Sequence, residues 1–452
     1  MLATVRPQTF FPRPRLRCVV SFGSSGIRGV FGKEITPELF VNIGRVLALY
    51  HKRILLGRDV RTSGQLLSNA FISGALSSGG IIDYGGILST PTVAFASRGY
   101  DCGAVVTASH NPPEYNGIKL WNPSGIAFDE GQQKEVEDAL SGQASECNSW
   151  DKVGEVRERH ELAVYHAEAI ADTLKPINLR VVVDCGCGAT GSVTPLLLRK
   201  MGCKVIALNA QPDGQFPGRP AEPTERNLEV LRKAVAATSA DLGIAHDGDG
   251  DRVVAVDERG RFVGGDRLLA LFASRIAKKA IVVPVDASMA IDDALPGIKI
   301  WRTRVGDVYV AQEVKRRGAD FGGEPSGTFI FPEWGLFPDG VYGAGMIASL
   351  AAEEKISAQV ARLPSYPSIH GSFSFDPSRK GDIIRAMAEV MSSAGGNLTV
   401  VDGWRISLED GWFLARLSGT EPKIRVLAEA RTETRTKEIY ESLVSKIKAV
   451  LR

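Results

Sequence analysis

The chain has 452 residues, 44% of them hydrophobic and 23% charged, an ordinary composition for a globular protein with room for about two to four domains. Its 54 basic and 52 acidic residues give a net charge of +2, which argues against nucleic acid as a partner because no excess of cations is present to displace counterions. No apolar run of about 18 residues suggests a membrane span, and six cysteines without disulfide or zinc spacing favour a reducing, cytoplasmic location.

The N-terminal segment 1–18 contains four arginines and three prolines but no acidic residue. It lacks the apolar core of a secretory signal peptide. We interpret it as a disordered leader, or as the product of a start codon placed too early.

The first predicted domain, 19–150, alternates strand and helix signals, as βαβ units do. A glycine-rich segment, 22–29, contains Arg28 and could bring its backbone and this guanidinium close to an anion. Thr36 and the proline after it predict the start of a helix. The acidic and polar stretch 130–160 is predicted to be a surface helix and a linker.

The polar hexapeptide 107–112 follows a short apolar strand, 104–106, and runs into two consecutive prolines. Because proline cannot donate a backbone N–H, the segment is predicted to form a tight turn at the end of a strand, where open α/β sheets bind their ligands. Ser109 in this turn could be a nucleophile or carry a phosphoryl group, with His110 beside it and Lys119 ten residues downstream. The plain alternative is an Asn-Pro turn that contains a serine.

The second predicted domain, 151–256, contains two candidate ligand loops. The first, 186–191, has the pattern G-x-G-x-x-G after a predicted strand and before a helix, which is typical of nicotinamide-dinucleotide sites. The acidic residue expected to bind the ribose is missing at the end of the next strand, 204–208. A tight strand-to-helix turn is therefore the main interpretation, and an NAD-dependent oxidoreductase is a remote alternative.

The second loop places Asp247, Asp249 and Asp251 at alternate positions after a predicted strand, 241–245. Three carboxylates this close repel one another unless a cation lies among them, and hard oxygen ligands favour Mg²⁺ or Ca²⁺. An EF-hand is disfavoured because Arg252 occupies the position at which that loop requires glycine. We predict a Mg²⁺ loop, and a solvated acidic turn is the plain alternative.

The third predicted domain, 257–362, continues the α/β alternation and includes a loop at 304–307. Its loop 322–327 combines glycines with Glu324 and Ser326, whose carboxylate and hydroxyl are groups that can hold sugar hydroxyls. Loops of this composition are also common as simple turns.

The fourth predicted domain, 363–452, differs from the others because its strand signals follow one another closely and predict an antiparallel sheet in an α+β domain. The stretch 364–376 is predicted to be a linker, and the last helix would pack its apolar side chains on the sheet. Between two strands, the loop 416–425 contains two arginines, two hydroxyls and a glycine, which are the groups of a phosphate-binding clamp. A basic hairpin is the plain alternative.

These four loops together resemble those of the α-D-phosphohexomutases, the family of phosphoglucomutases, phosphomannomutases and phosphoglucosamine mutases. The motifs occur in the order and at the spacing of that family, from about residue 22 to the C-terminus. The resemblance implies an α/β fold in which three related mixed-sheet domains and a smaller α+β C-terminal domain surround a central cleft.

The resemblance also implies a role for each loop residue. Ser109 corresponds to the phosphoserine of the family, and the residues implied to act beside it in catalysis are Arg28, His110 and Lys119. The implied ligands of one Mg²⁺ ion are Ser109, Asp247, Asp249 and Asp251. The residues implied to bind the substrate are Arg252, Gly306, Asp307, Glu324, Ser326, Arg416, Ser418, Gly419, Thr420 and Arg425.

The implied reaction moves a phosphoryl group between the 6- and 1-positions of a hexose phosphate. Phosphorylated Ser109 gives its phosphoryl group to the sugar, the bisphosphate turns round in the cleft, and the other phosphate returns to the serine. A hexose bisphosphate is the expected activator, and an unknown donor would first phosphorylate Ser109. The chain is expected to be a monomer or a homo-oligomer.

Two features bear on the identity of the sugar and on the catalytic groups. Loop 305–307 resembles that of phosphoglucosamine mutases, which we favour over a phosphomannomutase/phosphoglucomutase of dual specificity. Thr328 stands where many relatives have histidine, which leaves the second acid or base unassigned.

A non-catalytic protein that binds sugar phosphates is a further alternative, although such a protein would not need Ser109.

Overall fold

The computed structural model describes residues 22–23, 26–142, 147–418 and 422–451, so the predicted leader 1–18 lies outside the described residues. Within these ranges the chain forms four β-sheets in succession. Each sheet with its helices is called a domain, I to IV. None of the helices in the described ranges is both long and apolar enough to span a membrane.

Domain I is built on a six-stranded sheet. Its strands are β1 Ile27–Val30, β2 Arg53–Arg58, β3 Ile81–Ile87, β4 Cys102–Val106, β5 Tyr115–Trp121 and β6 Glu155–Glu158. They lie in the order β1-β5-β4-β2-β3-β6. Its helices are α1 Pro37–Tyr50, α2 Gly64–Ser77, α3 Thr90–Ala96 and α4 Glu130–Ser141. The α1 helix begins as predicted, because the Thr36 hydroxyl accepts a hydrogen bond from Leu39 N at 3.3 Å.

The edge strand β6 corrects one prediction. It pairs in parallel with β3, so the stretch 130–160 contains a strand as well as the predicted surface helix. The sheet therefore continues past residue 150, where the first domain was predicted to end. All four residues of β6 are exposed and only Val156 is apolar, so the sequence offers no burial pattern from which to predict this strand.

Domain II has a five-stranded mixed sheet. Its strands are β7 Arg180–Asp184, β8 Lys204–Leu208, β9 Leu242–His246, β10 Val253–Val256 and β11 Phe262–Val263. They lie in the order β11-β10-β9-β7-β8, and β11 follows the predicted boundary at 256. The helices that precede and accompany this sheet are α5 Leu162–Thr173, α6 Thr194–Lys200 and α7 Glu229–Thr238.

The glycine pattern at 186–191 is a tight strand-to-helix turn after β7. Gly186 has φ of +60°, in the region that favours glycine. A Cβ atom at Gly191 would lie 2.1 Å from the Ala210 carbonyl oxygen. Backbone conformation and close packing thus explain these glycines.

Domain III has a four-stranded sheet in the order β13-β12-β14-β15, formed by β12 Ala280–Pro284, β13 Lys299–Thr303, β14 Phe321–Gly323 and β15 Phe329–Ile330. Its helices are α8 Gly265–Ile276, α9 Ala290–Ala294, α10 Asp307–Arg317, α11 Gly340–Glu353 and α12 Ile356–Ala361. Phe272 of α8 packs on the buried rings of Phe321 and Phe329, which joins this helix to the sheet.

Domain IV has a fully antiparallel five-stranded sheet, which confirms the predicted fold class of three α/β domains followed by an α+β domain. Its strands are β16 Ser368–Ser374, β17 Asn397–Thr399, β18 Trp404–Ser407, β19 Gly411–Leu417 and β20 Lys423–Ala430, and its helices are α13 Lys380–Ser392 and α14 Glu433–Leu451. The predicted linker 364–376 is wrong in part, because it contains β16. This strand is polar at most positions but pairs with β20 along its whole length.

Candidate active site

Ser109 lies in a tight turn after β4, at the carboxyl end of that strand. Its φ is +51°, in the left-handed region that residues with a side chain rarely adopt, and the residue is 1% exposed. The Thr107 hydroxyl accepts a hydrogen bond from Ser109 N at 2.9 Å and donates one to Asp59 Oδ2 at 2.7 Å. The turn therefore presents the serine from a fixed and strained backbone.

Arg61, which no sequence motif indicates, holds this turn in place. Arg61 is 1% exposed and its Nε donates to Asp59 Oδ2 at 3.0 Å. Its two terminal nitrogens donate hydrogen bonds of 2.5–2.9 Å to the backbone carbonyls of Ser109, Asn111, Pro112 and Tyr115. One buried cation thus replaces the backbone partners that the turn cannot supply by itself.

The acidic loop connects β9 and β10, which form an antiparallel hairpin and not the helix–loop–helix of an EF-hand. Asp247 Oδ1 accepts hydrogen bonds from Gly250 N at 3.0 Å and from Arg252 N at 3.2 Å, so the loop folds back on this carboxylate. Gly248 packs on the serine turn, and a Cβ atom there would lie 2.7 Å from the Ser109 carbonyl oxygen. The two loops therefore require glycine where they meet.

The serine and the three aspartates converge. Ser109 Oγ donates a hydrogen bond to Asp247 Oδ2 at 2.7 Å. One oxygen from each of Asp247, Asp249 and Asp251 lies within 4.8 Å of the others. In the described part of the chain, Oδ1 of Asp249 and Oδ1 of Asp251 are buried without a hydrogen-bond partner. Buried carboxylate oxygens need a partner, and this donor set fits a hard divalent cation.

Two side chains of domain I hold the acidic loop. Lys119 Nζ contacts Asp249 Oδ2 at 2.8 Å and Asp251 Oδ2 at 2.5 Å, and Thr90 Oγ1 donates to Asp249 Oδ2 at 2.6 Å. Burial opposes the ionisation of both partners, but their attraction lowers the pKa of Asp249 and raises the pKa of Lys119. Lys119 is therefore held as a cation.

Asp247 behaves differently from its neighbours. Burial and the charges of Asp251 and Asp249 raise the pKa of Asp247 well above its usual value. The loop thus concentrates more negative charge than Lys119 alone balances.

His110 and Arg28 lie beside the serine turn. His110 Nδ1 is 3.3 Å from Ser109 Oγ. Burial, together with the charges of Arg252 and Arg28, lowers the pKa of His110 to about 2, so its imidazole is neutral. Arg28 Nη1 donates to Asn111 Oδ1 at 3.4 Å, and Arg28 Nε is buried without a partner among the described residues.

Domain III meets the acidic loop through the backbone of Arg252, which forms a β-bridge with Thr328. Thr328 Oγ1 donates to Glu324 Oε2 at 3.0 Å, and Gly306 N donates to Glu324 Oε1 at 2.7 Å. Ser326 Oγ lies 3.1 Å from the Thr328 hydroxyl. Thr328 therefore fixes the orientation of the Glu324 carboxyl group.

Glu324 is 8% exposed. Burial and the negative charges of Asp307 and Asp286 raise the pKa of Glu324 to about 7. Asp307 also raises the pKa of Lys119, so its charge acts on the predicted sugar loop and on the lysine that holds the acidic loop. Near neutral pH, Glu324 can thus accept or donate a hydrogen bond.

In domain IV, Arg416 lies near the end of β19 and is the first residue of the predicted phosphate loop. Its Nη1 contacts Asp402 Oδ2 at 3.1 Å, and the same oxygen accepts a hydrogen bond from Val305 N of domain III at 3.2 Å. Arg425 lies directly opposite Arg416 in the β19–β20 pair. A series of contacts therefore connects the serine turn of domain I to the predicted phosphate loop. It runs through the acidic loop of domain II and the loops at 304–307 and 322–328 of domain III.

The rest of the predicted phosphate loop is described only in part. Ser418 is 9% exposed, and its N–H bonds to the Lys423 carbonyl oxygen at 2.8 Å. Gly419 and Thr420 lie outside the described residues.

Arg219 is a second holding residue that the sequence does not indicate. Its guanidinium contacts Asp184 Oδ2 at 3.0 Å and donates to the His246 carbonyl oxygen at 2.6 Å, directly before the acidic loop. Asp184 and Arg219 are 35 residues apart, so no local pattern connects them.

Four family models match successive parts of the chain. The α/β/α domains I, II and III of phosphoglucomutase/phosphomannomutase match residues 19–146, 162–260 and 264–366. The C-terminal domain of the same proteins matches residues 376–446.

Relatives and a solved structure agree with these matches. A probable phosphoglucosamine mutase of Methanocella arvoryzae is 47% identical over 428 residues, which cover 94% of this chain and 98% of that protein. A protein of the same description from Methanosarcina acetivorans is 48% identical over 434 residues, 95% of this chain and 99% of that one. The crystal structure of a phosphoglucomutase/phosphomannomutase family protein from Burkholderia thailandensis matches with a TM-score of 0.84 and 28% identity, and covers 96% of this chain and 97% of that one. This chain therefore belongs to the phosphoglucomutase/phosphomannomutase family of phosphohexomutases, which are enzymes of the isomerase class.

Proposed function

We propose that this phosphohexomutase interconverts the 6- and 1-phosphates of glucosamine. The observation that carries the reaction is the 2.7 Å contact of Ser109 Oγ with Asp247, within a group of three buried carboxylates. The sugar is inferred from the relatives, because proteins 47% and 48% identical to this chain are named probable phosphoglucosamine mutases.

In this proposal Ser109 carries the phosphoryl group. A phosphoserine bears nearly two negative charges and would repel the incoming sugar phosphate. Lys119 and Arg28 supply positive charge beside it, and Mg²⁺, the ion that Asp247, Asp249 and Asp251 would hold, supplies further neutralisation when bound. The buried turn keeps the serine oxygen in position for transfer.

His110 is the candidate, by its position, for taking a proton from the attacking sugar hydroxyl. Its Nδ1 lies 3.3 Å from Ser109 Oγ, within reach of a proton there. Burial and the charges of Arg252 and Arg28 lower the pKa of the imidazole and make it a weak base, and the negative charge of a phosphoryl group on Ser109 would oppose the effect of the two arginines. Lys119 is held as a cation by two carboxylates, which suits a charge partner and makes it a weaker proton donor than a free lysine.

The remaining loops would bind the sugar and its other phosphate. Glu324 and Ser326 would hold sugar hydroxyls, with Arg252, Gly306 and Asp307 around them. The side chains and backbone groups proposed to hold the distal phosphate are those of Arg416, Ser418, Gly419, Thr420 and Arg425. The bisphosphate forms when the phosphoryl group of Ser109 is transferred to the sugar, and it must turn round before its other phosphate returns to the serine. If the bisphosphate leaves, the enzyme is left unphosphorylated, and a trace of hexose bisphosphate would phosphorylate Ser109 again.

The test is the interconversion of the 6- and 1-phosphates of glucosamine, glucose and mannose, with Mg²⁺ and a trace of hexose bisphosphate. We expect the highest kcat/KM for glucosamine phosphate, and loss of turnover in Ser109→Ala. Equal use of glucose and mannose phosphates would indicate the dual-specificity enzyme. Full activity in Ser109→Ala would contradict the proposed role of the serine.

A further inference from the structure

Asp402 connects the predicted phosphate clamp to a loop of domain III. It lies in the turn between β17 and β18 of domain IV. Its Oδ2 accepts one hydrogen bond from Arg416 Nη1 at 3.1 Å in the same domain and another from Val305 N at 3.2 Å in domain III. One carboxylate oxygen therefore holds the clamp arginine and the domain III loop at the same time.

The domain III loop passes this contact on to the sugar-binding residues. Val305 N bonds to Asp402, and the next residue, Gly306, donates its N–H to Glu324 Oε1 at 2.7 Å. Consecutive backbone N–H groups thus serve a carboxylate of domain IV and the carboxylate of the sugar loop. A movement of the Asp402 side chain can therefore shift the backbone at 305–306 and, with it, the hydrogen bond to Glu324.

Domains III and IV are also joined by a second set of contacts that does not involve the clamp. Glu429 Oε1 accepts hydrogen bonds from Met289 N at 2.8 Å and from Trp412 Nε1 at 3.0 Å. Trp412 is 1% exposed, and the Arg405 guanidinium stacks on its ring at 3.6 Å. Because this interface is buried, the contact at Asp402 can rearrange while the two domains stay joined.

The Asp402–Arg416 pair is suited to exchange its partners. The side chains of Arg416 and Asp402 are 18% and 24% exposed, so neither charge must be left unpaired in a dry interior when they part. A guanidinium binds a carboxylate and a phosphate with the same planar set of donors. An arriving phosphate therefore competes with Asp402 for Arg416.

We propose that Asp402 is a positioning residue that takes the place of the substrate phosphate on Arg416 while the clamp is empty. The inference rests on the proposed function, in which Arg416 binds the distal phosphate. The bisphosphate must leave the clamp, turn round and re-enter it with its other phosphate. Asp402 gives Arg416 an alternative partner during that interval, which weakens phosphate binding and speeds release.

Asp402→Asn tests this because the amide keeps the shape and an oxygen acceptor but removes the competing charge. We expect the KM for glucosamine 6-phosphate to fall about two- to fivefold, the range for loss of one partly exposed ionic contact. The kcat should fall as well, because release from the clamp becomes slower. A merely structural role would not lower KM and kcat together.

Asp410→Asn is the matched control, because Asp410 forms a comparable 2.8 Å pair with Arg435 on the same domain. This variant should keep the wild-type KM and kcat. Inorganic phosphate as a competitive inhibitor gives a second reading that does not depend on turnover, and its inhibition constant should fall in Asp402→Asn by the same factor as KM. In an Arg416→Ala background the effect of the asparagine should disappear.

The outcomes separate this inference from the proposed function. If Asp402→Asn raises KM, or has the same KM and kcat as Asp410→Asn, the inference is wrong. If Arg416→Ala still raises KM in that case, the proposed phosphate-binding role of Arg416 is retained. If Arg416→Ala leaves KM unchanged, or the wild type converts no glucosamine phosphate, the proposed clamp or substrate fails and the inference falls with it.

Discussion

The serine end of the candidate site and its proposed phosphate-binding end are held in different ways. At the serine end, Arg61 is 1% exposed and Arg219 is 6% exposed, and each pairs with a buried aspartate while donating to loop carbonyls. At the other end, Arg416 is paired with Asp402 by side chains that are 18% and 24% exposed. Buried ion pairs therefore hold the loops at the serine end, and a partly exposed ion pair holds the loop at the other end.

This difference matches what each end has to do. Phosphoryl transfer depends on fixed positions of the reacting oxygen and of the charges around it. The distal end must instead hold either phosphate in turn and release both. A buried ion pair that loses one partner leaves an uncompensated charge, whereas a partly exposed pair exchanges partners at little cost.

Arg61→Ala gives the largest expected effect. Removal of this guanidinium leaves Asp59 buried without its cation, so we expect the free energy of unfolding to fall by about 3–5 kcal/mol. Urea denaturation of the variant and the wild type measures this difference. Lys134→Ala is the control, because it removes a cation from an exposed pair with Asp138, and it should cost less than about 1 kcal/mol. If both variants lost the same free energy of unfolding, burial of the ion pair would not explain the stability of the serine turn.

Glu324→Gln tests the buried carboxyl group between the two ends. Burial, Asp307 and Asp286 raise the pKa of Glu324 from 4.5 to about 7, so the folded protein binds this proton more tightly than the unfolded chain does. Its contribution to stability is therefore fully present below pH 4.5 and is lost as the pH rises to about 7.

The size of that change follows from the shift. We expect the wild type to lose up to about 3 kcal/mol relative to Glu324→Gln across this range. Thermal unfolding of both proteins at a series of pH values measures it. Parallel curves would show that this carboxyl group does not titrate in the range.

Thr90→Val tests whether the acidic loop depends on domain I. The hydroxyl of Thr90 donates to Asp249 Oδ2 at 2.6 Å, which leaves Asp249 Oδ1 for a metal ion. Because such outer contacts orient the ligands, we expect Mn²⁺, as a probe for the Mg²⁺ site, to bind about 10–100-fold more weakly. Titration of the metal-free protein with Mn²⁺ measures this affinity. Thr90→Ser keeps the hydroxyl and should bind like the wild type, so equal loss in both variants would assign the effect to packing.

The features that could be predicted from the sequence depend on residues close together in the chain. Consecutive prolines predict the turn at Ser109, and three aspartates separated by single glycines predict the hairpin loop at 247–251. In each case a few neighbouring residues fix both the backbone and the chemistry. The predicted roles of these residues stay proposals.

The features that could not be predicted depend on distant or unpatterned residues. Arg61 bonds to carbonyls 48 to 54 residues later, so no local window contains both partners. Strands β6 and β16 are largely polar edge strands that are held by backbone pairing, and hydrophobic periodicity does not show them. The domain boundaries stay predictions.

Arg416→Ala is the counterpart of Arg61→Ala and should have the smallest effect on stability. The pair that it breaks is partly exposed, so we expect the free energy of unfolding to change by less than about 1 kcal/mol in urea denaturation. The KM for glucosamine 6-phosphate should nevertheless rise by about tenfold or more, because hydrogen bonds to a charged group contribute about 1.5–3 kcal/mol. Arg435→Ala removes another arginine of domain IV and should leave KM unchanged. If Arg416→Ala destabilised the protein as much as Arg61→Ala, the phosphate end would be as rigid as the serine end, and release of the bisphosphate would require another explanation.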